Sequence, residues 1–273
     1  MVASDSVFAG SIPELYDRCL GPFLFEPYAD ELARRAAALA PSRILETAAG
    51  TGIVTAALAG ALPEAEIVAT DLNPAMLEVA RRRVTAPAVV FQAADAQELP
   101  FADGGFDLVV CQFGAMFFPD RVGAYREARR VLRPGGWFLF AVWDRIEANP
   151  AAAAAARAVA ALFPDDPPAF LARTPYGYHD KALIETELVA AGFTSDVIET
   201  VCRESRGPAS EAALGLCQGS PLRAEIEARA PDRLDEATEA AASALRASCG
   251  GAEEIVLPMS ALIVTARAPL ARN

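Results

Sequence analysis

The chain of 273 residues is 53% hydrophobic and 22% charged, enough for one large α/β domain, with or without an elaborated lid, and wrong for a disordered chain. Its formal net charge of −12 repels phosphate backbones and anionic bilayers, so nucleic acid is not an expected partner. Five cysteines without a C-x-x-C pair and a single histidine argue against a disulfide framework and against a metal site, and suit a reducing cytoplasm.

The chain opens Met-Val-Ala-Ser-Asp-Ser, with no basic region ahead of an apolar run, so no secretory signal is read there. No stretch reaches the ~18 apolar residues of a membrane-spanning helix. Residues 12–28, which include Tyr16-Asp17-Arg18, suit an amphipathic helix. From Ser42 to Asp144 short β-type runs alternate with helical segments. Strands are expected at residues 43–47, 66–71, 88–93, 106–112 and 136–143, with helices at 52–62, 74–84 and 119–132. Apolar runs such as Asp107–Val110 read as parallel strands covered on both faces. Asn73 should cap the helix that Pro74 starts, and Arg133-Pro134-Gly135-Gly136 should stop a helix and turn the chain. Beyond Asp144 the pattern loosens. A helix is expected at 180–191, a strand at 193–201, helix throughout 209–248, and a last strand at 255–266. Alternating β-α-β units imply a doubly wound sheet.

The loop Glu46-Thr47-Ala48-Ala49-Gly50-Thr51-Gly52 joins the first strand to its helix, and its glycines would let the backbone approach a ligand closely. Read as a dinucleotide fingerprint it has Thr55 where the third glycine belongs. Asp71 closes the second strand, where an ionised carboxylate can accept both hydroxyls of a ribose, or act simply as a capping acid. Leu72 and Met76 could supply apolar contact to an attached base. Asp95, followed by Ala96, could accept from an exocyclic amine of adenine, or be a turn residue.

In order and spacing, Ile44–Gly52, Asp71, Asp95-Ala96, Phe106–Gln112 and Leu132–Trp137 resemble the successive motifs of class I S-adenosylmethionine (SAM) dependent methyltransferases. The nearest subgroup is that of ubiquinone and menaquinone biosynthesis methyltransferases, and the likeness covers about residues 35–145. It implies an α/β fold with a doubly wound, mostly parallel seven-stranded sheet, Rossmann-like, with a helical lid. It further implies that Glu46, Thr47, Ala48, Gly50 and Gly52 line the methionine part of SAM. Asp71 would hold the ribose, and Asp95 and Ala96 would frame the adenine. Gln112 and Phe113 would lie beneath the sulfonium, and Tyr16 would touch the cofactor from the N-terminal segment. Ala48 stands where the family has its first glycine, which is tolerable if φ there stays negative.

The expected division is an N-terminal cap at 1–34, a cofactor-binding core at 35–145, and residues 146–273 completing the sheet, with a lid at about 204–250. The expected reaction transfers a methyl group to a small-molecule acceptor and releases S-adenosylhomocysteine (SAH), without a metal. The acceptor atom and any general base stay open: His179, Tyr176, Tyr178 and Gln218 are polar candidates without a motif. Residues 145–180 and 204–250 should select the acceptor, though the same helices could equally extend the core or bury a homodimer interface. A nicotinamide-dependent reductase and a non-catalytic SAM-binding module are the competing functions.

Overall fold

In the computed structural model the described residues are 12–271, and expectations for residues 1–11 lie outside them. Seven strands form one sheet in the order β3-β2-β1-β4-β5-β7-β6. They are β1 (Arg43–Glu46), β2 (Glu66–Asp71), β3 (Val89–Ala93), β4 (Phe106–Gln112), β5 (Leu132–Trp143), β6 (Ser195–Pro208) and β7 (Glu254–Arg267). The pairs β1–β2, β1–β4, β2–β3 and β4–β5 are parallel. Backbone bonds join Gly136 to Ala268 and Asp144 to Ser260, so β7 runs antiparallel to β5. The order reverses direction between β1 and β4, which opens a crevice at their carboxyl ends.

The crossover helices follow local rules. Asn73 Oδ1 accepts from Ala75 N–H at 3.0 Å and Pro74 begins α4 (Pro74–Arg83), as the sequence predicts. Asp120 caps α5 (Arg121–Val131) by accepting from Gly123 N–H at 2.8 Å. Arg81, Arg82 and Arg83 fall in the last turn of α4, and Arg129 and Arg130 in that of α5, where they complement the dipole. Ile44, Leu45, Leu108, Val109 and Val110 have no exposed surface, as strands covered on both faces require.

Two expectations need correction. Arg133-Pro134-Gly135-Gly136 does not end before a new strand: β5 already begins at Leu132, and the turn survives as an irregularity between the pairs Phe106–Leu132 and Leu108–Trp137. Gly135, at φ +76°, supplies its left-handed residue. β6 extends to Pro208, well past Val201, because it pairs with β7 as an antiparallel strand that can face water on one side.

The chain divides into two compact units. One comprises residues 28–142, 179–201 and 262–273 and holds most of the sheet. The other comprises residues 1–27, 143–178 and 202–261. In it, α9 (Ala209–Gln218) and α11 (Leu234–Ser248) pack through small residues, with Ala213, Ala237 and Ala241 fully buried. Residues 209–248 are therefore three helices, with α10 (Leu222–Arg229) between the other two. The N-terminal part of this unit is not a simple amphipathic α-helix: Tyr16–Phe25 is a π-helix containing Pro22. No helix among the described residues is long and apolar enough to cross a membrane.

Candidate functional site

The crevice edge is built first by β1. Its carboxyl end delivers Glu46 and a loop tied to both neighbouring strands: Thr47 N–H donates to Val110 O and Ala49 N–H to Thr70 O, each at 2.9 Å. Gly50 and Gly52 adopt φ of +57° and +79°. A methyl group at Gly52 would stand 2.9 Å from Ala80 Cβ, so glycine is what lets α3 (Ile53–Ala61) begin against α4. Between them Thr51 is buried, and its hydroxyl has no hydrogen-bond partner. Such an atom costs about 1–3 kcal/mol when left unsatisfied, the mark of a loop shaped for something besides its own packing.

Glu46 is only 1% exposed, and its Oε2 lies 2.6 Å from the Thr55 hydroxyl. Thr55, which breaks the dinucleotide fingerprint, thus has a task of its own as the buried partner of Glu46. Burial pushes the Glu46 carboxyl up to about 8, with the Thr55 bond opposing the rise and the charge of Asp71 adding to it. The folded protein then holds a proton that the unfolded chain releases near 4.5. Stability should therefore fall as pH rises from about 4.5 to about 8, by up to ~1.4 kcal/mol per unit for this group. Glu46→Gln should flatten that part of the stability profile in urea melts. An unchanged slope would mean that Glu46 titrates normally.

Ala48 departs from expectation. Its φ is +52°, left-handed and not negative, a conformation that costs a residue with a Cβ about 1–2 kcal/mol. Space for the methyl comes from Gly114: a Cβ built there would stand 2.4 Å from Ala48 Cβ and 2.9 Å from Cys111 Sγ. Ala48→Gly should stabilise the protein by about 0.5–1 kcal/mol. Gly114→Ala should cost about 1–3 kcal/mol, and less in the Ala48→Gly background. Simple additivity in thermal melts would show that the two positions do not share this space.

Asp71, half-buried at the end of β2, is oriented by two backbone donors. Its Oδ2 accepts from Gly50 N–H at 2.9 Å and its Oδ1 from Asn73 N–H at 2.8 Å. Burial raises its carboxyl above the ordinary range, and the Asn73 and Gly50 bonds oppose the rise. Each oxygen keeps capacity for a further donor. Beside it Leu72 is 63% exposed, an apolar surface left in water, while Met76 is buried at 4%. Asp95 is engaged in a turn, with Oδ1 accepting from Gln97 N–H at 2.8 Å, and Ala96 is half-buried next to it. Gln112 ends β4, half-buried. Phe113 follows at φ +52°, left-handed and strained for a bulky residue. It is held there by its N–H bond to Ala141 O, 2.9 Å, and by the edge of Tyr28 at 5.4 Å.

The sheet edge of this unit thus brings together Glu46, Thr47, Ala48, Gly50, Gly52, Asp71, Leu72, Met76, Asp95, Ala96, Gln112 and Phe113. Tyr16 belongs to the other unit, where it stacks on Phe25 at 4.8 Å. His179 is exposed, and Gln218 donates to Asp235 and Thr238, so its amide serves helix packing. Sequence reasoning missed Thr55 and Gly114. For Thr55 the signal was a hydroxyl nine residues after a buried acid, on the first turn of the following helix. Gly114 carried none, because its need for glycine depends on the φ of Ala48.

Residues 45–140 match a protein-family model described as Methyltransferase domain. A demethylmenaquinone methyltransferase of Thermus thermophilus is 48% identical over 99 residues, 36% of this chain and 45% of that protein. Its counterpart in Deinococcus radiodurans is 36% identical over 138 residues, 49% of this chain and 57% of that one. The chain thus spans about half the length of these relatives. Among solved structures, the [4+2]-cyclase SpnF superposes with a TM-score of 0.60 at 20% identity, over 99% of this chain and 98% of that one. At that identity the likeness is one of fold.

Proposed function

We propose that this chain, which carries a class I SAM-dependent methyltransferase domain of the ubiquinone and menaquinone biosynthesis type at residues 45–140, transfers the methyl group of SAM to a small-molecule acceptor. The observation that carries the reading is Asp71: an acid at the end of β2, aimed by Gly50 and Asn73 and still able to accept from a diol. The residues present fit the cofactor in three further respects. Two left-handed glycines frame the loop, a buried Thr51 hydroxyl lacks a partner, and Leu72 offers an uncovered apolar surface.

In this reading Glu46, Thr47, Ala48, Gly50 and Gly52 line the methionine portion, and Asp71 holds the ribose. Leu72, Met76, Asp95 and Ala96 surround the adenine, and Gln112 with Phe113 lies beneath the sulfonium. Tyr16 keeps a cofactor role on the family likeness alone. SAM supplies an already activated methyl group with a neutral thioether leaving group. The protein's work is then to bind, align and exclude water. Acceptor choice is assigned to residues 145–180 and 204–250. Five free cysteines, Cys19, Cys111, Cys202, Cys217 and Cys249, support a reducing, cytoplasmic setting. SAH release measured across phenols, quinols, amines and carboxylates tests the activity. Release above the acceptor-free rate with one class supports transfer, and a flat panel from protein that binds SAH favours a cofactor-binding module without catalysis.

A further inference from the structure

The chain between β3 and β4 is laced to α5 rather than left as a free loop. Glu127 Oε2 accepts from Leu99 N–H at 2.8 Å. Arg130 donates to Leu99 O at 2.8 Å, to Phe101 O at 2.7 Å and to Asp103 Oδ1 at 2.8 Å. It also grips Glu127 through Nε at 2.7 Å and Nη2 at 2.8 Å, so every N–H of its guanidinium is used. The loop that starts at Asp95 is thus mounted on a helix of the sheet's own layer.

At the crevice end of this loop the tie is Gln97. Its Oε1 accepts from Asp120 N–H at 2.9 Å, at the cap of α5. That bond fixes which way the amide lies, because only its oxygen can accept. Nε2 is thereby turned to Asp95, 3.2 Å from Oδ1 and 3.4 Å from Oδ2. The turn itself does not need this side chain. Its own bond runs from the backbone N–H of Gln97 to Asp95 Oδ1 at 2.8 Å, and any residue at 97 would supply it. With that bond alone the carboxylate could still swing, since the last torsion of an aspartate is broad and soft. A second donor that reaches both oxygens, and is itself anchored on α5, takes that freedom away.

We infer that Gln97 is a positioning residue for base selection: it fixes the Asp95 carboxylate as an acceptor-only face that admits a purine with an exocyclic amine and rejects one with an oxygen there. An ionised carboxylate offers only lone pairs. An amine donates into them, whereas a carbonyl oxygen sets lone pair against lone pair. That mismatch costs more the less the carboxylate can turn aside. The inference rests on the reading that places the adenine of SAM beside Asp95.

The test is calorimetric titration of the full chain with SAH and with S-inosylhomocysteine, the deaminated analogue that carries an oxygen in place of the amine. The wild type should prefer SAH by about 30-fold or more, for one hydrogen bond gained and one repulsion avoided. Gln97→Met removes both amide bonds at nearly constant volume and should cut that preference below about fivefold. Gln97→Glu keeps an acceptor for Asp120 N–H and loses the donor to Asp95, so it too should lower the ratio, even if Gln97→Met proves unstable. The ratio is what a purely structural role would not move: a loosened loop would lose affinity for both ligands alike and melt at a lower temperature. An unchanged ratio in either folded variant overturns the inference. So does a wild type that binds the two ligands equally. Absence of SAH binding by folded wild type is a distinct result, which removes the methyltransferase reading and this inference with it.

Discussion

Replacing Asp71 with alanine is expected to weaken SAH binding by about 2–4 kcal/mol, on the order of 30- to 1,000-fold, while the sheet stays folded. The magnitude follows from two charge-assisted bonds to a ribose, discounted because they share one carboxylate. Asp71 also steadies the loop through Gly50 N–H and the turn through Asn73 N–H, so some stability is lost as well. Asn73→Ala separates the two effects. It removes the cap on Ala75 N–H, should cost about 1 kcal/mol of stability, and should leave SAH affinity nearly intact. Calorimetry on both variants decides: equal losses of affinity would reassign Asp71 to a structural cap.

The second large effect is at Gly52. Gly52→Ala forces a side chain into a left-handed residue at φ +79° and drives its Cβ to 2.9 Å from Ala80 Cβ and 3.1 Å from Ala80 Cα. Left-handed strain and overpacking together should cost about 2–4 kcal/mol. The start of α3 must shift, so SAH affinity should fall too. Gly60, inside the same helix, is the control: a Cβ there meets nothing within 4 Å. Gly60→Ala should therefore stabilise by up to about 1 kcal/mol. Thermal melts check both, and a neutral Gly52→Ala would mean that the loop is free to rearrange.

What the sequence makes legible is whatever one or two local rules decide. β2 and β4 were read to the residue because apolar runs between turn signals leave little choice, and Asn73-Pro74 fixed the start of α4. The positions of the loop from Glu46 to Gly52, of Asp71 and of Asp95 after consecutive strands could be read from spacing, because a switch-point edge draws on consecutive strand ends. β6 was read short because Arg203, Glu204 and Arg206 broke the apolar pattern that a covered strand would show, whereas an antiparallel strand tolerates polar residues on its open face. Ala48 was misjudged because φ depends on tertiary context: only the missing side chain of Gly114 makes room for a left-handed alanine.

The central claim, that this fold binds SAM through the β1–β4 edge, is tested most directly by calorimetric titration of the full chain with SAH. The account predicts saturable 1:1 binding without added metal, strongly weakened in Asp71→Ala. Absence of binding in protein shown by its melting transition to be folded would contradict it.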